Sequence, residues 1–227
     1  MNYIDYSKFF SQKNLKAYIS LRDKNYAIEE SRNEFITQLE LEPSIFIFPN
    51  QTHSSNVKII NKSKSYNDTD AIISTSTDFG LGILIADCVP IFLYNINTNH
   101  FALVHSGWRG AANKITSITL KKMIEIGNNP SNIMAVVGPS IGKCCFEIGE
   151  EVSGLFDSKY LASNSKSKYN LDLKGSIREE LISIGLNQKY IFIDSNCTFC
   201  EENKFFSYRR EGKSSGRMMV IMGWRNK

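Results

Sequence analysis

Short apolar runs, rich in β-branched and aromatic residues and separated by turn-forming residues, recur through the middle of this chain. They occupy residues 45–48, 71–74, 82–86, 91–94 and 101–104. Runs of this length and composition are typical of buried strands, and a series this dense predicts a sizeable sheet. Further strands are expected at residues 16–22, 133–137, 190–193 and 218–222.

Helical periodicity separates these runs in three places. Apolar residues recur at helical spacing in segments 29–41, 111–126 and 173–185, which predicts three helices that each bury one face. The most polar segment, residues 163–168, is expected to be a surface loop. A chain of 227 residues suits one domain. We therefore expect an α/β fold in a single domain, residues 1–227, with a mixed β-sheet sandwiched between helices.

Charge and apolar length argue against several classes of protein. The chain carries 27 Lys and Arg against 23 Asp and Glu, a net charge of +4 without long basic blocks, so a nucleic-acid partner is not indicated. The first residues lack the basic start and apolar core of a secretory signal. The longest apolar stretches, such as residues 81–86, are too short to span a bilayer. We expect a cytoplasmic protein without a membrane partner.

The five cysteines are expected to be reduced thiols, because an odd number cannot pair fully within one chain and the cytoplasm is reducing. Packing, metal ligation and catalysis are their possible roles. Cys197 and Cys200 have the two-residue gap of a zinc knuckle, but without a second such pair they do not indicate a structural site. Cys144 and Cys145 are adjacent, which makes chelation of one metal difficult, and a packed turn is the preferred interpretation there.

Three potential metal ligands lie at the ends of predicted strands. His53 and Cys88 follow apolar runs, and His105 ends one. Two histidines and one cysteine can bind zinc and leave a fourth position for water, as catalytic zinc sites do. Spacings of 35 and 17 residues match no local zinc motif, and a free cysteine is usually a small buried hydrophobe, so packing stays an alternative for Cys88. The third histidine, His100, is expected at a solvated turn.

Two segments combine positive charge with features that could bind an anion. Arg109 lies between two glycines and beside Trp108, at the expected start of a helix, where backbone N–H groups attract anions. The alternative is a tight turn with Trp108 in the core. Residues 205–210, with 216 and 217, mix aromatic side chains with arginines. They could hold a phosphate or stack a base, or form a solvated edge.

In their order along the chain, several groups of residues resemble the YfiH-like family, long described as laccase-domain or polyphenol oxidase proteins. The matching segments are 51–53, 69–71, 86–90, 105–110, 138–142, 145–149, 207–210 and 215–217. Among them, the run His-Ser-Gly-Trp-Arg-Gly at 105–110 is highly specific. The resemblance extends over about residues 45–222.

The resemblance implies an α/β fold with a mixed sheet between helices, and a zinc ion held by His53, Cys88 and His105. It implies purine nucleosides and orthophosphate as substrates, with phosphorolysis of adenosine, inosine, guanosine and methylthioadenosine, and deamination of adenosine to inosine. Laccase-like oxidation, as in the older family label, is a less favoured alternative. Its copper sites demand many more histidines than the three of this chain.

We predict catalytic roles for Asp87, Cys88 and His105, and substrate-binding roles for Gln51 and Arg109. Asp87 is a candidate proton carrier or hydrogen-bond partner of a ligand, and Arg109 is the candidate for orthophosphate. Two further alternatives stay open. In one, Cys88 is a nucleophile with His105 as its base, in a hydrolase that acts on peptidoglycan precursors. In the other, the metal has four protein ligands and only stabilises a binding module.

Overall fold

The computed structural model describes residues 2–60 and 65–225, which contain fourteen strands and six α-helices. The strands are β1 (Tyr3–Asp5), β2 (Leu15–Ser20), β3 (Phe46–Ile47), β4 (Val57–Ile60), β5 (Ala71–Ser74), β6 (Gly80–Ile85), β7 (Val89–Asn95), β8 (Phe101–Ser106), β9 (Ile133–Val137), β10 (Glu147–Gly149), β11 (Leu161–Ser165), β12 (Lys168–Leu171), β13 (Ile191–Ile193) and β14 (Met218–Trp224). The helices are α1 (Glu29–Gln38), α2 (Trp108–Ala112), α3 (Ile115–Glu125), α4 (Glu150–Ser153), α5 (Leu173–Ser183) and α6 (Tyr208–Glu211).

The strands form three sheets. The largest has six strands in the order β13-β9-β7-β8-β5-β4, and the second has five in the order β1-β2-β14-β6-β3. Both are mixed: β9 and β13 are parallel, as are β3 and β6, whereas β7 runs antiparallel to both of its neighbours. The third, antiparallel sheet has the order β10-β12-β11.

The two larger sheets pack face to face. Phe92 and Tyr94 of β7 share a core cluster with Val220 and Met222 of β14, which belongs to the other sheet. These side chains are almost fully buried, and each side chain of this kind stabilises the fold by about 1.5–3 kcal/mol on leaving water. Because successive side chains of a strand point to opposite faces, Ile91 packs in the cluster on the other side of the sheet.

Helices cover the outer faces of both sheets. Leu120 of α3 and Ile177 of α5 pack in the cluster on the six-stranded sheet, and Phe35 and Ile36 of α1 pack with Ile221 on the five-stranded sheet. The predicted α/β class, with sheet between helices, is confirmed. The structure has two central sheets, whereas one was expected. The sequence could not distinguish these arrangements, because a strand buried on both faces gives the same apolar run in one sheet or in two.

Two local predictions are wrong. The helix expected at 111–126 begins at Trp108 and is interrupted after Ala112, where Lys114 adopts a left-handed φ of 60° before α3 begins. Segment 163–168, expected to be a loop, contains the ends of β11 and β12 and the turn between them, with Ser167 at a φ of 66°. This hairpin is polar because most of its side chains face solvent, so it lacks the apolar alternation of a half-buried strand.

No helix in the described ranges is long and apolar enough to cross a membrane. The cytoplasmic location and the assignment of residues 1–227 to one domain stay predictions. Residues 1, 61–64, 226 and 227 lie outside the described part of the chain.

Candidate metal centre and active site

Three potential metal ligands from separate parts of the chain come together at one end of the six-stranded sheet. The ligand atoms of His53, Cys88 and His105 lie within 4.8 Å of one another. The two imidazole rings meet edge to face, with centroids 5.0 Å apart. Among the described residues, no fourth His, Cys, Asp or Glu joins this group. Two imidazoles and one thiolate therefore could hold one metal ion with a coordination position left open.

Strand pairing brings Cys88 and His105 together. Cys88 immediately precedes β7, and the antiparallel register with β8 places Pro90 opposite His105. Gly107 follows β8, and a Cβ atom on it would lie 2.9 Å from Cys88 Sγ and 3.2 Å from Cδ2 of the His53 ring. Any larger residue at position 107 would push two of the ligands apart, so glycine is needed there for close approach.

A buried carboxylate fixes the ring of His105. Asp70 is fully buried, and its Oδ1 lies 2.7 Å from His105 Nδ1. With Nδ1 donating to the carboxylate, Nε2 is left to face the other two ligands, an arrangement that is common in metal sites. Burial opposes ionisation of Asp70, but His105, by hydrogen bond and charge, and the hydrogen bonds from Ser54 lower its pKa to about 2.

The same carboxylate holds the segment that carries His53. It accepts hydrogen bonds from the backbone N–H groups of Thr52 at 3.1 Å, His53 at 3.1 Å and Ser54 at 2.7 Å. His53 has a φ of 61°, in the left-handed region that residues other than glycine seldom occupy. These hydrogen bonds offset the strain. Asp70 thus positions two of the three ligands, a role that its place directly before an apolar strand did not reveal in the sequence.

Cys88 and His105 stabilise each other's charged forms. Burial raises the pKa of the Cys88 thiol, but His105 and His53 outweigh burial and bring this pKa to about 6. Burial lowers the pKa of His105, but the Cys88 sulfur and the Asp70 carboxylate raise it to about 9. Without a metal, the directions of these two shifts favour a thiolate–imidazolium pair. The thiolate is also the form of cysteine that ligates a metal.

Asp87 lies beside Cys88 with a strained backbone and a fully engaged carboxylate. Its φ is 81°, and its carboxylate accepts hydrogen bonds from Thr198 Oγ1 at 2.6 Å, Ser207 Oγ at 3.0 Å and the Arg209 backbone N–H at 2.7 Å. These contacts attach residues 198–209, which precede β14 in the chain, to the loop that carries Cys88. Asp87 also lines the pocket described below. Its role as a proton carrier stays a prediction.

Gln51 and Arg109 lie in the same pocket but differ in their contacts. The Gln51 amide donates to the Leu84 carbonyl at 2.9 Å and accepts from the Leu84 N–H at 2.8 Å, which fastens the segment before His53 to β6. The guanidinium of Arg109 lies 4.2 Å from the centroid of the Trp108 ring. None of the ion pairs among the described residues involves Arg109. Both substrate-binding roles stay predictions.

The three ligands open into a pocket of about 930 Å³. Its volume lies within the range of roughly 300–1,000 Å³ that is usual for small-molecule sites. Besides Arg109 and Asp87 it is lined by two more guanidinium groups, three aromatic side chains and two more carboxylates, which belong to Arg209, Arg217, Trp108, Phe146, Tyr208, Glu147 and Glu151. The aromatic and arginine-rich segment near the C-terminal end of the chain is thus part of the pocket wall. From the sequence, Glu147 belonged to a family-matching segment but was given no role, and Glu151 was not singled out.

Comparisons with known proteins show the family and the fold of this chain. A family model described as multi-copper polyphenol oxidoreductase laccase matches residues 6–225. The purine nucleoside phosphorylase YlmD of Bacillus subtilis (strain 168) is 30% identical over 93% of this chain and 82% of its own length. The adenosine deaminase RL5, from an unknown prokaryotic organism, is 29% identical over 94% of this chain and 87% of its own length. A crystal structure described as the hypothetical protein YfiH of Bacillus licheniformis superposes with a TM-score of 0.88 at 25% identity, and the match covers 92% of each chain.

Asp70→Asn is expected to weaken the binding of a metal ion by this group roughly 10–100-fold, the usual effect of removing the hydrogen-bond partner of a metal-ligating histidine. An amide replaces one accepting oxygen with a donor, so it cannot serve both the His105 ring and the N–H groups of the His53 segment. Competition with a chromophoric chelator measures the affinity. Asp78→Asn, an exposed change beyond the same strand, is the matched control. Wild-type affinity in Asp70→Asn would contradict the role given to this carboxylate.

Proposed function

This chain belongs to the family described as multi-copper polyphenol oxidoreductase laccase, the family that its motifs predicted, and from this we propose that it is a zinc-dependent enzyme of purine nucleosides. It cleaves adenosine, inosine, guanosine and methylthioadenosine with orthophosphate, and it deaminates adenosine to inosine. Relatives named purine nucleoside phosphorylase and adenosine deaminase support this chemistry. The observation that carries the proposal is the group His53, Cys88 and His105 at the wall of a large pocket that three arginines also line.

The donor set favours zinc over the copper of the family's description. Two histidines and one cysteine also occur in blue-copper sites, where a methionine lies at a longer axial distance. None of the residues that line this pocket is a methionine, and the chain has only three histidines for the several copper ions of a laccase. A three-ligand zinc site with an open position suits catalysis, whereas a purely structural site would have a fourth protein ligand.

The rest of the pocket suits the two substrates. The ring of Tyr208, which is 48% exposed, offers a face on which a purine can stack. Arg109 carries a positive charge without a carboxylate partner among the described residues. Its planar guanidinium group can therefore donate hydrogen bonds to two oxygens of orthophosphate. Arg209 and Arg217 add positive charge to the wall. In this proposal Gln51 also binds substrate. Its side-chain amide holds the segment before His53 against β6, at the wall of the pocket.

For deamination, a zinc ion bound by the three ligands would lower the pKa of a water molecule toward neutrality. Such a water would add to C6 of the purine, one of its two protons would pass to N1, and the C6–N6 bond would then break so that ammonia leaves. Asp87 takes a proton from the attacking water and returns it to the departing nitrogen. The hydrogen bonds from Thr198, Ser207 and Arg209 keep its carboxylate in place for both transfers.

For phosphorolysis, an orthophosphate oxygen attacks C1′ of the ribose while the bond from C1′ to the purine nitrogen breaks. Arg109 neutralises the phosphate charge and orients the attacking oxygen. The departing purine nitrogen takes the proton that the hydrogen phosphate gives up, and the sugar keeps the phosphate.

A second candidate is a hydrolase in which Cys88 attacks an amide of a peptidoglycan precursor. The thiolate–imidazolium pair of Cys88 and His105 favours it, because such pairs are found in cysteine hydrolases. It leaves His53 without a role, although the backbone at His53 is strained and held by a buried carboxylate. We therefore prefer the zinc enzyme.

His53→Ala is expected to remove the zinc bound at this group and to lower deamination by at least about a hundredfold, since the metal would supply several kcal/mol of stabilisation to that reaction. Incubating metal-analysed protein with a nucleoside panel, with and without orthophosphate, and identifying the products measures the effect. His100→Ala is the matched control, because His100 pairs with Asn128 away from the pocket. Full activity in zinc-depleted His53→Ala would overturn the proposed function.

Arg109→Lys is expected to lower phosphate-dependent cleavage by roughly tenfold or more, because lysine keeps the charge but loses the two-pronged donor geometry. Deamination, which uses no phosphate, should change much less. Initial rates at varied orthophosphate concentration measure the effect, with Arg178→Lys, an exposed change on α5, as the control. An unchanged phosphate dependence would give Arg109 a structural role only.

Alkylation of Cys88 separates the zinc enzyme from the hydrolase. A zinc-bound thiolate should resist iodoacetamide until a chelator removes the metal. Labelling is followed by peptide mass spectrometry before and after chelation, and His53→Ala, with its weakened site, should label without chelator. Rapid labelling of Cys88 in zinc-loaded, active wild-type protein would favour the hydrolase.

A further inference from the structure

Four of the five cysteines lie away from the proposed active site and come together near the protein surface. The sulfur atoms of Cys144, Cys145, Cys197 and Cys200 lie within 4.8 Å of one another. None of the four lines the pocket that contains Cys88. The sequence favoured a packed turn for the adjacent pair and did not indicate a structural site for the spaced pair, so their convergence appears only in the structure.

The parallel pairing of β9 with β13 brings the two cysteine pairs together. The strands are in register at their ends, with Val137 opposite Ile193. Beyond the strands, Ser140 forms a parallel bridge with Cys197, and the Thr198 N–H donates to the Ser140 carbonyl at 3.0 Å. The loops that follow the two strands therefore run side by side and direct their cysteines to one place.

We propose that these four cysteines form a second metal site, a tetrathiolate centre that binds zinc. Cys200 Sγ lies 3.7 Å from Cys144 Sγ and 3.3 Å from Cys145 Sγ. In a tetrahedral site with zinc–sulfur bonds of about 2.3 Å, the sulfurs are about 3.8 Å apart, so these sulfurs need to move by only about half an ångström. The turn in which the Cys145 and Phe146 N–H groups both donate to the Gly142 carbonyl directs both adjacent sulfurs toward Cys200.

The surroundings of Cys197 suit a metal-bound thiolate. The Gly142 N–H donates to Cys197 Sγ at 3.2 Å. N–H donors of this kind stabilise negative charge on sulfur. Four thiolates around one zinc ion carry a net charge of roughly −2. The ammonium group of Lys174 lies next to this segment, where it donates to the Asn196 carbonyl at 3.0 Å.

The centre would have a structural role, because four protein ligands leave no open position for a substrate. It would join chain segments 56 residues apart. Thr198, which lies within the spaced pair, donates to the Asp87 carboxylate at 2.6 Å. Arg210 holds the same turn through the carbonyls of Thr198 and Phe199, at 2.9 and 2.8 Å. The second metal would therefore stabilise the segment that positions Asp87, without touching the pocket.

Metal analysis of a matched set of variants tests the proposal. Wild-type protein is expected to bind about two zinc ions per chain, and both Cys88→Ser and Cys145→Ser/Cys200→Ser about one. Cobalt added to metal-free Cys88→Ser should give intense thiolate-to-cobalt absorption and the visible bands of tetrahedral cobalt, because only the four-cysteine centre then offers sulfur ligands. The thiolate-to-cobalt absorption and the tetrahedral cobalt bands should both be lost in the triple variant Cys88→Ser/Cys145→Ser/Cys200→Ser. Circular dichroism checks that this variant keeps the native fold.

The outcomes distinguish this proposal from the zinc enzyme proposed above. A single zinc that is lost in Cys88→Ser and kept in Cys145→Ser/Cys200→Ser would overturn the second site and leave the first. A single zinc that is kept in Cys88→Ser and lost in Cys145→Ser/Cys200→Ser would support the second site and overturn the first. A Cys145–Cys200 disulfide in wild-type protein purified without oxygen and with added zinc would also overturn the tetrathiolate centre.

Discussion

The buried carboxylate of Asp70 is the group on which the geometry of the site depends. An ionised carboxylate away from water is costly unless its oxygens accept hydrogen bonds. Here the His105 ring and the backbone N–H groups of three successive residues around His53 supply them. The ring cannot turn, and the His53 segment cannot rearrange, without leaving buried charge unsatisfied. The two histidines are therefore positioned by the protein itself, before any metal binds.

A second carboxylate, Asp87, does for Cys88 what Asp70 does for the histidines. His53 and Asp87 both have positive φ values, 61° and 81°, and strain of this kind persists only where surrounding contacts determine the conformation. At His53 the contacts come from Asp70. At Asp87 they come from the residue's own carboxylate, which binds Thr198, Ser207 and Arg209. The two strained loops meet at the metal ligands, and both are held by buried hydrogen bonds to a carboxylate.

Much of the fold and part of the site could be predicted from the sequence. Apolar runs located the main strands, and His53, Cys88 and His105 stood out because each lies at the end of one. The role of Asp70 could not be predicted, since its partner ring is 35 residues away and only the pairing of β5 with β8 brings them together. The four-cysteine group was missed for the same reason, because the register of β9 and β13 leaves no trace in residue spacing.

The position of β14 has a consequence for how the chain folds during synthesis. This strand, Met218–Trp224, lies in the middle of the five-stranded sheet, between β2 and β6. Until residue 224 has left the ribosome, β2 and β6 have no strand between them and both present open edges. The side chains of Met218, Val220 and Met222, which pack between the two sheets, are then missing as well. A nascent chain at this stage exposes apolar surface and unpaired backbone, a state prone to aggregation, so the interval before β14 is inserted is when the chain most needs chaperone protection.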